Sequence, residues 1–95
     1  MSLRFTVENS PRFGRLASQL QSGHPEFKER LREARAILEI DPYNQSHQYA
    51  IKKLTGGQAR EGQWRLRLGR WRFRYNIEGQ IVQLEYCGLR REDTY

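Results

Sequence analysis

Apolar and polar residues alternate one by one along the second half of the chain, in three consecutive runs. The runs cover residues 64–68, 71–77 and 81–86. Strict alternation is typical of strands that bury one face. The links between the runs, Gly69-Arg70 and Glu78-Gly79, have the length and residue types of tight turns. We therefore predict a three-stranded antiparallel meander.

The first half of the chain follows a different period, because its apolar residues recur every three or four positions. This spacing is typical of amphipathic helices. One helix is predicted after an N-cap at Ser10 and should stop at Gly23, and a second should run from His24 to Asp41. The apolar stripes are Phe13, Leu16, Ala17 and Leu20, then Phe27, Leu31, Ala34 and Leu38. We expect the two helices to form an antiparallel hairpin.

Residues 3–7 also alternate and predict a short N-terminal strand, whereas residues 43–63 predict no definite element. The predicted fold class is therefore α+β. It has an N-terminal strand, an antiparallel helix hairpin and a three-stranded antiparallel meander that completes one sheet. A length of 95 residues fits a single domain over residues 1–95.

The period of two assigns the side chains of the first two runs to opposite faces of the sheet. The apolar set, expected to pack on the helices, is Trp64, Leu66, Leu68, Trp71, Phe73, Tyr75 and Ile77. We also expect Tyr86 and Cys87 in the core. The opposite surface carries Arg65, Arg67, Arg72 and Arg74 and is called the arginine face. Like charges on neighbouring strands repel, so the arginine face predicts an anion-binding surface, with a merely solvated polar face as the alternative.

The charge of the whole chain strengthens the anion-binding interpretation. The formal net charge is +6 and the sequence pI is about 10.0. Residues 51–95 carry 10 basic and 5 acidic side chains, and no acidic residue lies between positions 62 and 77. Arginine accounts for 14 of the 17 basic residues, and its planar fork matches phosphate. The expected partner is nucleic acid or an acidic protein.

Several other classes of protein are not indicated. A single cysteine allows no internal disulfide, and His24 and His47 are far apart in sequence, so we predict neither a metal site nor a cofactor. The sequence contains no apolar run long enough to span a membrane and no apolar signal core. We therefore expect a cytoplasmic protein without a membrane partner.

Three segments of the chain resemble the signature of the RelE/ParE toxin superfamily. Residues 52–56 are similar to its Lys-Leu-x-Gly segment. Residues 63–75 are similar to its aromatic-basic-x-basic-apolar strand, followed by its Tyr/Trp-Arg-x-x-Tyr strand. Residues 88–95 resemble its C-terminal Gly-x-Arg run with a tyrosine shortly after. The predicted order of strand, helix hairpin and antiparallel strands is also similar, so the resemblance covers nearly the whole chain.

This resemblance implies a toxin of a type II toxin–antitoxin system. RelE-like members are mRNA interferases, ribosome-dependent endoribonucleases that bind the ribosomal A site and inhibit translation by cleaving mRNA. In that reaction the RNA 2′-hydroxyl attacks the adjacent phosphate. The implied partners are a 70S-type ribosome, mRNA and a cognate acidic antitoxin, with no cofactor and no metal.

The family motifs also assign roles to individual residues. The implied catalytic residues are Arg65, Arg67, Arg72, Arg90 and Tyr95. Arg72 would stabilise the charge of the phosphorane, Arg90 the leaving oxygen, and Tyr95 would stack on a base or orient the attacking hydroxyl. From their positions in the sequence we also predict RNA-binding roles for Lys52, Lys53, Arg74 and Arg91, with a solvated surface as the alternative for the two lysines and with Arg91 as a substitute for Arg90.

The sequence departs from the family pattern on the first of these strands, where arginines stand at positions that are often lysine. Arginine stabilises negative charge but is a poor general base, because it stays protonated. Two other interpretations therefore remain open. One is a ParE-like inhibitor of DNA gyrase, and the other is a nucleic-acid-binding module without catalytic activity.

Overall fold

Two helices and a five-stranded mixed sheet make up the computed structural model, which describes residues 4–55 and 59–90. The elements are β1 (Thr6–Asn9), α1 (Pro11–Gly23), α2 (Phe27–Ile40), β2 (Ile51–Lys53), a 3₁₀ turn (Ala59–Glu61), β3 (Trp64–Leu68), β4 (Trp71–Glu78) and β5 (Ile81–Leu89). This architecture confirms the predicted α+β class. Neither helix in the described ranges is long and apolar enough to cross a membrane.

The sheet has one strand more than the predicted N-terminal strand and three-stranded meander together. Its strand order is β1-β5-β4-β3-β2, so the antiparallel run β3-β4-β5 carries an additional strand on each side. β1 pairs in parallel with β5, where Val7 lies opposite Val82. β2 pairs antiparallel with β3, where Ile51 lies opposite Leu66. β2 was not predicted because an alternation of apolar and polar residues cannot be recognised over three residues. Only its pairing with β3 identifies this segment as a strand.

The helix boundaries follow from local hydrogen bonds. The Ser10 hydroxyl oxygen accepts a hydrogen bond from the Phe13 backbone N–H at 3.0 Å, so Ser10 is the N-cap of α1 as predicted. α2 begins at Phe27 and not at His24. Residues 24–26 form a turn in which the Phe27 N–H donates to the His24 carbonyl oxygen at 3.0 Å.

The helices cover the apolar face of the sheet, which is the face that the alternation predicted. The Phe27 ring of α2 packs 5.1 Å from the Trp71 ring and 6.2 Å from the Phe73 ring. Tyr75 is fully buried, and its hydroxyl donates a hydrogen bond to the Pro42 carbonyl oxygen at 2.7 Å. The arginine face lies on the other side of this layer, away from the helical core.

Candidate functional site

Strand register brings the basic side chains together on the arginine face. Across the β3–β4 ladder, Arg65 lies opposite Arg74 and Arg67 lies opposite Arg72. On the outer side of β3, Lys52 of β2 lies opposite Arg65. Residues directly opposite each other in an antiparallel pair share a face. Two adjacent rows of cations therefore cross the sheet, as the sequence predicted for its arginines.

Among the described residues, Arg74 is the arginine of this face that the protein itself holds. Its Nε and Nη2 atoms donate to the Gly62 carbonyl oxygen at 3.1 and 2.7 Å, and its Nη1 atom donates to Glu61 Oε1 at 3.1 Å. Gly62 has φ +99° and lies so close to β4 that a Cβ there would be 2.6 Å from the Tyr75 nitrogen. Only glycine fits this approach, which places residues 59–63 against the arginine face.

Arg65 and Arg72 differ from Arg74 because part of each guanidinium is buried without a partner. Within residues 4–55 and 59–90, the Nε atoms of Arg65 and Arg72 are buried and make no hydrogen bond. Burial lowers the pKa of Arg65, and the positive charges of Arg72, Arg67 and Arg74 lower it further. A buried donor without an acceptor is costly, so these two arginines are suited to receiving an anion.

A depression of about 350 Å³ is lined by the two arginines that carry these donors. Its lining includes Glu61, Arg65, Arg72, Arg74, Tyr86 and Gly88. Two larger grooves, of about 450 and 540 Å³, lie elsewhere. The groove of about 450 Å³ runs along α2, where Arg32 is already paired with Glu29. The groove of about 540 Å³ is lined by arginines and by two glutamates. The depression with the unpartnered arginine donors is therefore the best-supported site.

A β-bulge brings one unpredicted residue, Tyr86, into this depression. On the β4–β5 ladder Arg74 pairs with Tyr86, whereas the next residue, Tyr75, pairs with Leu84. Glu85 is therefore an extra residue on β5. A bulge of this kind changes which face the following side chains occupy. Tyr86 consequently lies on the arginine face, and the prediction that it lies in the core was wrong.

The residues after the bulge show how the Tyr86 ring is held. Cys87 turns into the core and is buried, as predicted for that residue. A Cβ atom at Gly88 would lie 2.6 Å from the Tyr86 hydroxyl oxygen, so the phenol lies directly over this glycine. The guanidinium carbon of Arg12, from α1, stands 5.8 Å from the centre of the Tyr86 ring. Such a distance is typical of a cation–π contact.

Two other predicted catalytic residues lie at the rim of the site. Arg67 is exposed on β3, opposite Arg72. Arg90 follows β5 and is exposed, and its backbone N–H donates to the Arg70 carbonyl oxygen at 2.7 Å. This bond continues the pairing of β5 with the β3–β4 turn and places Arg90 at the end of the strand that carries Tyr86.

Of the remaining predicted residues, Lys53 is not brought into the site. Lys53 pairs with Trp64, on the opposite face from Lys52, and its Nζ atom stands 5.7 Å from the centre of the Trp64 ring. The predicted RNA-binding residue Arg91 and the predicted catalytic residue Tyr95 lie outside the described residues. The geometry therefore supports a site built from β2, β3, β4 and β5.

Comparison of the chain with protein-family models, with curated proteins and with solved structures found no match. The chemistry of the site therefore rests on its own side chains. These are a phenol and two arginines whose Nε atoms have no partner among the described residues. The His24 ring instead packs against the Trp71 ring, with 5.5 Å between the ring centres. In the part of the chain that the structure describes, no group of His, Cys, Asp and Glu could hold a metal ion. Arginines of this kind bind phosphate through short charge-assisted hydrogen bonds.

Proposed function

We propose that this chain is the toxin of a type II toxin–antitoxin system and acts as an endoribonuclease that cuts mRNA on the ribosome. The observation that carries the proposal is the pair of buried, unpartnered Nε atoms of Arg65 and Arg72 beside one depression. A phosphodiester offers negatively charged oxygens that both guanidinium groups can bind. The resemblance of the motifs to the RelE/ParE superfamily supports RNA as the source of that phosphodiester.

The proposed reaction is an in-line attack within the RNA chain. The 2′-oxygen forms a bond to phosphorus while the bond from phosphorus to the 5′-oxygen breaks. The products are a 2′,3′-cyclic phosphate and a 5′-hydroxyl end. The phosphorane that forms on the way carries extra negative charge, and Arg72 and Arg65 stabilise it because they lie on neighbouring strands beside the same depression.

The surrounding cations have supporting roles in this proposal. Arg67 and Lys52 bind the RNA backbone on either side of the scissile phosphate, since both are exposed beside the depression. Arg90 neutralises the leaving 5′-oxygen. Arg74, which is held by Glu61 and Gly62, fixes the wall of the site and adds positive charge to it.

Proton transfer is assigned to the ribosome and the bound RNA. A protonated guanidinium has no free lone pair, so an arginine cannot take the proton from the 2′-hydroxyl. Neither described histidine is placed to do so, because His24 packs on Trp71 and His47 lies in the loop after α2. An acid and a base from outside this chain explain why cutting would depend on the ribosome.

The cognate acidic antitoxin is proposed to inhibit the toxin by covering the arginine face. Lys52, Arg65, Arg67 and Arg72 form no ion pair within residues 4–55 and 59–90, so acidic side chains of a partner can pair with them. Structure determination of the complex tests this directly. An antitoxin that leaves Arg65, Arg67 and Arg72 open would contradict masking of the site.

A cleavage assay with purified components tests the proposed function. The protein is incubated with a defined mRNA, with and without translating ribosomes, and cut positions are mapped by primer extension. We expect cuts at the A-site codon only when ribosomes are present. Gyrase-trapped DNA breaks without mRNA cutting would instead identify the ParE-like alternative. Tight RNA binding without either activity would identify a non-catalytic binding module.

A further inference from the structure

We propose that Tyr86 contacts the bound phosphodiester directly and donates a hydrogen bond from its hydroxyl to a phosphate oxygen. The inference deepens the proposed function and rests on the same phosphodiester site. Tyr86 lines the depression together with Arg65 and Arg72. It would be an uncharged donor in a site whose other anion-binding groups are guanidinium ions.

The position of the hydroxyl follows from the strand register and from Gly88. Gly88 is the direct cross-strand neighbour of Arg72 on the β4–β5 ladder. The Tyr86 hydroxyl oxygen lies over Gly88, at 2.6 Å from where a Cβ atom would be. The hydroxyl therefore occupies the space that a side chain beside Arg72 would otherwise fill.

The hydroxyl is also free to act on a ligand. It makes no hydrogen bond to any residue in the described ranges, and the side chain is only partly buried. By contrast, the hydroxyl of the buried Tyr75 is fully committed to the Pro42 carbonyl oxygen at 2.7 Å. Tyr75, on the helical face of the sheet, therefore has a structural role, whereas Tyr86, on the arginine face, is the tyrosine that we propose to bind the ligand.

Arg12 holds the ring from the side of α1. Its guanidinium carbon stands 5.8 Å from the centre of the ring, so the ring is contacted both by this cation and by Gly88. A phenol fixed in this way loses little conformational entropy when a ligand binds. This makes the hydroxyl a positioned donor, comparable to the fixed donors that stabilise developing negative charge in other enzymes.

The test measures binding of a fluorescent 2′-O-methyl RNA hexamer by anisotropy at low salt. This probe carries the phosphodiester but has no free 2′-hydroxyl, so binding is measured separately from cleavage. The variants are Tyr86→Phe, which removes only the hydroxyl, and Gly88→Ala, which displaces it. Tyr43→Phe is the matched control, because Tyr43 is exposed and packs against Phe5 and Trp64 instead.

We expect Tyr86→Phe and Gly88→Ala each to bind the hexamer about tenfold more weakly than the wild type, and Tyr43→Phe to bind normally. The closest contact at Gly88 is with the hydroxyl oxygen, at 2.6 Å, and the ring atoms Cζ and Cε2 follow at 3.1 and 3.2 Å. Removing the hydroxyl therefore relieves the most severe clash, and the double variant Tyr86→Phe/Gly88→Ala should bind about as strongly as Tyr86→Phe alone. This comparison separates displacement of the hydroxyl from general damage to the strand.

Unchanged binding by Tyr86→Phe, or a wild type that does not bind the hexamer, would overturn the assignment of Tyr86. The outcome is distinguishable from failure of the proposed function. Suppose that the wild type binds the hexamer, that Tyr86→Phe weakens this binding, and that no mRNA is cut on ribosomes. In that case the contact of Tyr86 with the phosphodiester is supported, and the proposed nuclease activity is wrong.

Discussion

Arg65 and Arg74 lie directly opposite each other on neighbouring strands, yet their side chains differ in their hydrogen-bond partners. Arg74 is paired with Glu61 at 3.1 Å and donates twice to the Gly62 carbonyl oxygen. Arg65 has a buried Nε atom with no partner among the described residues, and its pKa is lowered by burial and by neighbouring arginines. Arg74 is therefore tied into the fold, whereas Arg65 is the member of the pair that we propose to bind phosphate.

Replacing Arg74 should destabilise the protein. The Arg74→Ala variant loses three hydrogen bonds to Gly62 and Glu61, which tie residues 59–63 to β4. We expect the free energy of unfolding to fall by about 2 kcal/mol, measured by urea denaturation. Arg67→Ala is the control, because Arg67 is exposed and makes no such bonds. Equal stability of Arg74→Ala and the wild type would contradict the assigned role.

Replacing Arg65 should have the opposite effect on stability. The Arg65→Met variant keeps the apolar stem but removes a charge that lies among three other arginines. We expect the free energy of unfolding to rise by about 0.5–1 kcal/mol at low salt, because like-charge repulsion is relieved. The exposed Arg32→Met variant, which loses a pair with Glu29, should gain nothing. A destabilised Arg65→Met variant would show that Arg65 is a structural residue.

Much of the sheet could be predicted because the alternation of apolar and polar residues follows directly from the burial of one face of each strand. The bounds of β3, the face occupied by Phe73 and Tyr75, and the cross-strand arginines all follow from a period of two. The N-cap at Ser10 could also be predicted, since serine followed by proline is typical of the start of a helix. These features depend on residues that are close together in the sequence.

The rest could not be predicted because it depends on contacts between distant residues. The bulge at Glu85 arises from the register between β4 and β5, and one extra residue is enough to move Tyr86 from the core to the arginine face. The approach of Gly62 to β4 is likewise a tertiary contact. Gly88, two residues after Tyr86, was the one sequence signal that could have indicated space beside that tyrosine.

The loop after α2 should make stability depend on pH through Asp41. Burial raises the pKa of this carboxyl group, but hydrogen bonds from Ser46 and Gln45 and the charge of His47 lower it overall. The Ser46 hydroxyl donates at 2.6 Å and the Gln45 backbone N–H at 2.8 Å. Because the pKa is lower in the folded state, the stabilisation is present above the unfolded pKa of about 3.9. It is lost as the pH falls through the folded pKa.

We therefore expect Asp41→Asn to lower the free energy of unfolding by about 0.5–1 kcal/mol at pH 7, a modest value because the loop is partly solvated. The difference from the wild type should shrink between pH 7 and low pH, as the pH falls through the folded pKa of Asp41 and the carboxyl group becomes uncharged like the amide. Urea denaturation at several pH values measures this. A difference that is the same at both pH values would contradict ionisation as its cause.

The single cysteine should be chemically inert in the folded protein. Cys87 is buried, and burial raises the pKa of its thiol to about 12, so the reactive thiolate is scarce at neutral pH. We expect a thiol reagent to modify Cys87 only after the protein is unfolded in denaturant. Rapid modification of the native protein at pH 7.5 would show that β5 opens readily at this position.

Cutting of mRNA on translating ribosomes by the wild type and by Arg72→Ala tests the proposal that the arginine face stabilises a phosphorane. Arg32→Ala, altered on α2, serves as the control. We expect the wild type and Arg32→Ala to cut at the A-site codon, and Arg72→Ala to cut at least about 100-fold more slowly. Equal cutting by Arg72→Ala and the wild type would contradict it.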